Sequence, residues 1–154
     1  MIVYRLSKKA FAHDLTGKGA AMAGGRWNSK GVPILYTSSS RALCTAELAV
    51  HLPLGILPSD YVIIAIHIPD TLRVSKLPEA NLPAKWNQYP YSSLTQKIGN
   101  DFVKSGKSAI LKVPSAVVEG DYNFLINPYH PSAIKIRIKE IKPFHFDARL
   151  FTRT

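Results

Sequence analysis

The sequence predicts a single α+β domain with a mixed β-sheet core, spanning residues 1–154. Three observations lead there. Strand-like stretches outnumber helical ones, and the two kinds do not alternate as they would in a βαβ array. No repeat period runs along the chain. Apolar residues make up 46% of it and charged residues 19%, enough for one core and far from the composition of a disordered polypeptide.

Taken in order, Ile2-Val-Tyr-Arg-Leu6 reads as a short strand whose alternate positions face a core. Phe11 to Gly25 contains Gly17, Gly19, Gly24 and Gly25 without periodicity, and is expected to be an ordered loop with close backbone approaches. Pro33 to Thr37 is strand-like. Ser38-Ser-Ser40 then offers capping hydroxyls for a helix from about Arg41 to Leu52, stopped by Pro53. Tyr61 to Ile68 is apolar on both faces, as a central strand would be. Pro69 to Tyr91, with four prolines and Trp86, reads as a long covering segment over either the core or a pocket. Ser93-Leu-Thr-Gln96 matches a capping box, opening a helix with Leu94, Ile98 and Phe102 on one face and Gly106 at its end. Ser108 to Val113 returns as a strand, and Asn123 to Asn127 is a short apolar stretch between turn residues. Ile134 to Ile141 closes the chain with isoleucines alternating against Lys135, Arg137 and Lys139, one face core and one cationic.

Twenty Lys and Arg against ten Asp and Glu leave a net charge of +10, which points to an anionic partner without naming it. Cys44 is the only cysteine, so no internal disulfide forms, and a reducing compartment is expected. With no apolar run of membrane-spanning length and an opening that reads as a strand, the expected location is cytoplasmic, with no membrane partner.

Several chemistries are set aside by spacing. His13, His51, His67, His130 and His145 lie far apart, and no Cys/His pair has zinc-ligand spacing, so no metal is expected. Cys44 sits in an apolar helical context where a buried thiol is expected. Gly17 to Met22 lacks the third glycine of a dinucleotide fingerprint, and Gly19 to Arg26 lacks the Gly-Lys-Ser/Thr ending of a P-loop.

The informative stretch is Gly24-Gly-Arg-Trp-Asn-Ser-Lys-Gly31, followed by Ile34 to Ser38 and then Glu47. Two glycines allow a tight bend while Arg26 projects a fork suited to phosphate or carboxylate. Tyr36 and Ser38 share a strand face. Glu47, one of four glutamates in the chain, lies among Ala46, Leu48, Ala49 and Val50, and must be solvated, paired with a cation, or used. Helical glutamates are most often solvent-facing or salt-bridged, and arginines beside glycines brace loops about as often as they bind ligands. Trp27 is more often a packing anchor than a ligand platform.

Arg26-Trp-Asn-x-x-Gly31, Leu35-Tyr-Thr-Ser38, Ala46-Glu47 and Val113-Pro-Ser-Ala116 together resemble the RES domain, named for an Arg, a Glu and a Ser. Trp86 after a Pro-rich stretch, Ile98-Gly-Asn-Asp101 and Asn123-Phe-Leu-Ile-Asn-Pro-x-His130 extend the match from Tyr4-Arg5 to about Ile138. The resemblance implies a bacterial type II toxin with a fold similar to ADP-ribosyltransferase toxins, acting on NAD+ as substrate with no metal. It carries the family's arginine onto Arg26, its tyrosine onto Tyr36, its glutamate onto Glu47 and its serine onto Ser115, with Arg5 a further pocket residue and Ser38 a competing hydroxyl. It also implies a Xre-type antitoxin that covers the site.

Chemistry fits that implication. Breaking the nicotinamide–ribose bond builds positive charge on the ribose, which a neighbouring carboxylate can offset. Glu47 would do this, Arg26 would grip the pyrophosphate, Tyr36 would stack on or orient the nicotinamide, and Ser115 would hydrogen-bond the cofactor. Water, phosphate or a protein side chain can each accept the ADP-ribose, so NAD+ glycohydrolase, phosphorylase and mono-ADP-ribosyltransferase activities all remain open. From other classes, Lys135, Arg137, Lys139 and Lys142 could form a nucleic-acid-binding strip, although a solvated strand face is the commoner use, and a pure binding module is a third alternative. We expect that strip to dock an acidic antitoxin surface, with nucleic acid met only through the antitoxin.

Overall fold

The computed structural model describes residues 1–152. Seven strands form one sheet: β1 (Ile2–Lys8), β2 (Leu35–Ser38), β3 (Tyr61–His67), β4 (Val74–Lys76), β5 (Ile110–Pro114), β6 (Tyr122–Ile126) and β7 (Arg137–Phe144). Their order is β4-β5-β6-β2-β1-β3-β7. Every neighbouring pair is antiparallel except β4 with β5, which makes the sheet mixed. Three α-helices accompany it, α1 (Lys18–Ala23), α2 (Arg41–Ala49) and α3 (Ser93–Ser105), and the architecture is the expected α+β.

Alternation along the strands divides the core by face. One face collects Val3, Leu35, Val62, Ile64, Ile66, Ile110, Phe124 and Ile126. On the other face, one end packs Trp27, Ile34, Leu111, Val113 and Leu125 against Phe102 of α3. The opposite end of that same face packs Leu6 and Ile63 against Cys44 of α2 and the C-terminal aromatics Phe146 and Phe151. β3 is buried on both faces from Val62 to Ile66, as its unbroken apolar run requires. The candidate site lies on the second face, where α2 and the Trp27 loop pack on the strands.

Several sequence expectations change in detail. Phe11 to Gly25 is not all loop. It follows a 3₁₀ turn over Lys9–Phe11 and contains the six-residue α1, entered at Gly17 with φ 70° and left at Gly24 with φ 73°. The Ala and Met between those glycines suffice for one and a half turns once their ends are supported. α2 is capped by the Ser40 hydroxyl, which accepts from the Leu43 N–H, but its α-helical span ends at Ala49. His51 and Leu52 then donate to carbonyls three residues back, tightening the last turn before Pro53.

Residues 69–91 contain the edge strand β4 and a 3₁₀ turn at Glu79–Asn81, so this segment is partly sheet. Its Leu77, Leu82 and Trp86 pack on the Trp27 cluster, so it does cover core. The capping box fails: Ser92, not Ser93, caps α3, and Gln96 turns its amide toward the Gly25 and Asn28 carbonyls instead of back to the helix start. The buried face of α3 is Thr95, Gly99 and Phe102, leaving Leu94 exposed. The face rotates because Gly99 has to meet the Trp27 backbone.

Asn123 to Asn127 proves to hold an interior strand. The closing strand starts later than expected, because Pro131–Lys135 is a 3₁₀ turn and Ile134 is exposed. A register shift opposite Ala65/Ile66 also flips the alternation, so Ile138 faces Ile66 while Ile141 faces Ile64, and the even rhythm of isoleucine and cation breaks there. Within the cationic strip, Lys142 is paired with Glu140 at 2.8 Å.

Candidate active site

Arg26 lies in a loop held from all sides. The Asn28 side chain is buried and donates to the carbonyls of Ala20, Ser29 and Val32, tying the loop to α1 and to the chain beyond. Its Oδ1 accepts the Tyr36 hydroxyl at 2.7 Å, and the same hydroxyl accepts the Trp27 N–H at 3.0 Å. From α3, Gln96 donates to Gly25 and Asn28, and Asn100 exchanges hydrogen bonds with Ser29. Two glycines make this possible. A Cβ on Gly25 would sit 2.8 Å from the Tyr36 hydroxyl, and one on Gly99 would sit 1.6 Å from the Trp27 carbonyl oxygen. Trp27 itself is 3% exposed and packs against Trp86 with ring centroids 6.0 Å apart, as a packing anchor would.

The Arg26 guanidinium donates through Nη1 to the Trp86 carbonyl at 2.6 Å and the Gln88 carbonyl at 3.0 Å, and lies 5.2 Å from the centroid of the Tyr91 ring. Among the described residues Nε and Nη2 have no protein partner, and no buried polar side-chain atom is left unpaired, so these donors reach solvent. Partial burial pulls the arginine below its ordinary value, opposed by the nearby Tyr91, Glu47 and Tyr36. Burial drives the Tyr36 phenol strongly upward, so it stays a neutral hydrogen-bonding post.

Glu47 projects from α2 toward β5 and β6. Its Oε1 accepts from the Ser115 hydroxyl at 2.7 Å and from the Asn123 amide. Ser115 is buried at the end of β5 and accepts the Val117 and Val118 N–H groups, so its own hydrogen goes to Glu47. Asn123 faces Ser38 across the β2–β6 ladder, and the Ser38 hydroxyl donates to Asn123 Oδ1 at 2.8 Å. Ser38 is thus two bonds from Glu47, at the base of the cleft. Behind it, burial pushes the Cys44 thiol up to about 12.

Glu47 and Arg26 act on one another electrostatically without forming an ion pair, and among the described residues Glu47 pairs with no cation. The space between the two, beside Tyr91, is the candidate cleft, with the Arg26 guanidinium over the Tyr91 ring and His51 edge-on to Tyr91 at 6.5 Å. Tyr36 braces the Arg26 side, and Ser38 and Ser115 lie on the Glu47 side. Arg5 is not among them: it alternates with Tyr4 and Leu6, points to the opposite face, and donates to the Phe11 and Asp14 carbonyls. Two hollows of about 560 and 380 Å³ share Tyr129, His130 and Pro131, and include none of Arg26, Tyr36 or Glu47. Their walls lack the convergence of charge found at the cleft. Asn123 and Tyr91 are the contributors that the sequence did not single out; the first sits in a motif but carries no charge, and the second lies in a proline-rich segment of no evident order.

The second face of the mixed sheet thus carries a guanidinium with two uncommitted donors and a carboxylate clamped at one oxygen by neutral side chains, in an α+β domain. The chain belongs to the RES domain family, whose model matches residues 2–147. It is 38% identical over 144 residues to a Sphingobium protein named Prs ADP-ribosylating toxin, covering 92% of this chain and 89% of that one. It is 35% identical to a Pseudomonas putida protein named Toxin Res, covering 98% and 100% of the two chains. Among solved structures, a chain of the M. tuberculosis MbcT–MbcA toxin–antitoxin complex shares the fold, with a TM-score of 0.72 at 19% identity over 97% of this chain and 86% of that one.

Proposed function

We propose that this protein is a toxin that consumes NAD+ by cleaving the nicotinamide–ribose bond. The observation that carries this is that Arg26 and Glu47 lie within electrostatic reach of each other without pairing, and that among the described residues Arg26 Nε and Nη2 and Glu47 Oε2 have no protein partner. The names of its relatives, toxins and among them an ADP-ribosylating one, support the same chemistry. Arg26 Nε and Nη2 take the pyrophosphate. Glu47 Oε2 accepts a ribose hydroxyl hydrogen and offsets the charge that develops as the C–N bond lengthens. Nicotinamide takes the bonding pair and leaves neutral, so no general acid is needed. Water then adds to the ribose carbon and releases a proton, giving ADP-ribose. Tyr36 serves by fixing the Arg26 loop, and Ser115 and Ser38 by fixing the carboxylate.

The test is NAD+ turnover by Glu47→Gln, which keeps the side chain's size and its capacity to accept at Oε1. A loss of about 100-fold or more, with the thermal midpoint retained, is expected. Undiminished turnover rejects the assignment. The ADP-ribosylating relative favours a second acceptor, a protein side chain in place of water. Labelled NAD+ incubated with lysate separates the two: a labelled protein band marks transfer, and free ADP-ribose marks hydrolysis. As partner we propose an antitoxin of the Xre type that covers the cleft and is drawn to the +10 chain by opposite charge.

A further inference from the structure

We propose that Asn123 is the positioning residue for Glu47, holding the carboxylate in one rotamer without reducing its charge; this rests on the NAD+-cleaving function above. A free glutamate at the end of a helix samples several rotamers, and a carboxylate that must meet one ribose hydroxyl has to be held in one. Glu47 is held by two neutral donors on one oxygen. The Ser115 hydroxyl has its lone pairs occupied by Val117 and Val118, so it can only donate forward. Asn123 has its amide orientation set by Ser38, whose hydroxyl binds Oδ1 and so turns Nδ2 toward Glu47. Oε1 is filled, and Oε2, without a partner among the described residues, is the oxygen left for a ligand.

The neutrality of this clamp is its chemical content. A lysine or arginine in place of Asn123 would hold Glu47 as firmly, but would cancel the negative charge wanted opposite a developing cation. Arg26, Tyr91 and Cys44 each feel the Glu47 charge, and His51 stands against Tyr91; among the described residues none of the four donates to the carboxylate. The clamp is also built into the sheet, because Asn123 stands between Ser38 on β2 and Val113 on β5 in the ladder. Fixing the strand register therefore fixes the carboxylate.

Asn123→Ala tests this by two measurements on the full chain. In steady-state NAD+ cleavage, kcat is expected to fall about 10- to 100-fold with KM within about threefold, since the substrate's phosphates are held elsewhere. In carboxyl ¹³C spectra, the Glu47 signal, assigned by its absence in Glu47→Gln, is expected to move toward the position of a freely solvated glutamate while the backbone amide spectrum is retained. Wild-type kcat, or an unmoved Glu47 signal, overturns the proposal. If the wild-type protein consumes no NAD+, the enzymatic function falls, and the Glu47 signal still decides whether Asn123 positions it. If Asn123→Ala does not fold, Ser38→Ala, which only frees the amide to turn, is judged by the same two measurements, with a kcat loss of about 3- to 10-fold expected.

Discussion

The two walls of the cleft are built on opposite principles. The Arg26 wall is over-determined: Asn28, Tyr36, Gln96, Asn100 and the Gly99 contact all fix its backbone, and Nη1 of the arginine is committed to the Trp86 and Gln88 carbonyls. The Glu47 wall is sparse, a single side chain from α2 held at one oxygen by Ser115 and Asn123. Damage to the first wall should register as lost stability, and damage to the second as lost turnover in a folded protein. On the function proposed above, a braced guanidinium and a carboxylate held at one oxygen suit a reaction in which the phosphates stay put while charge moves at the ribose.

The sharpest way to break this contrast is Gly99→Ala. With a Cβ at 1.6 Å from a carbonyl oxygen, α3 must withdraw from the Trp27 backbone. We expect a loss of about 3 kcal/mol in chemical denaturation. A variant of wild-type stability would show that the Arg26 wall is far softer than its hydrogen bonds suggest. Tyr36→Phe is the next step down. It strands Asn28 Oδ1 and the Trp27 N–H in a buried setting, for about 2 kcal/mol, and should weaken NAD+ binding only as the loop loosens. If instead kcat collapses while the thermal midpoint is unchanged, Tyr36 touches the substrate and the division of labour fails.

The smallest effect concerns the packing behind the Glu47 wall. The folded Cys44 thiol holds its proton to about 12, against 9.0 for an unperturbed thiol. The folded state therefore binds the proton that the unfolded chain releases, and stability falls as pH rises through 9 toward 12. Thermal midpoints on either side of pH 9 should decline less steeply in Cys44→Ala. An identical decline would mean that the thiol is not as sequestered as its packing under Leu6 implies.

Arg26, Tyr36 and Glu47 stand out as candidates from residue type and setting: a fork beside two glycines, a phenol on a strand, a lone carboxylate in an apolar helix. Their separate jobs were not. Tyr36 reads equally well as a ligand platform or a loop post until the Asn28 amide is found against its hydroxyl. Ser115 and Ser38 read as ligand hydroxyls until Glu47 and Asn123 are seen to take them. Arg5 adjoins Tyr4 and Leu6, which face the same side of the sheet as the candidate site, yet a strand sends neighbours to opposite faces. The capping box at Ser93 misled because Gln96 has stronger partners in the distant loop than in its own helix.

By itself the sequence determined what depends on short-range rules: the α+β class, the runs that become β1 and β3, the Ser40 cap, the Gly106 stop and the burial of Cys44. Only the tertiary structure decided the strand order, the bulge that rephases β7, and the clamp on Glu47 from residues 68 and 76 positions away. The reason is physical. Helix caps and strand periods are set by bonds within a few residues, whereas sheet register and side-chain networks are chosen among many long-range pairings by the burial of the whole chain at once.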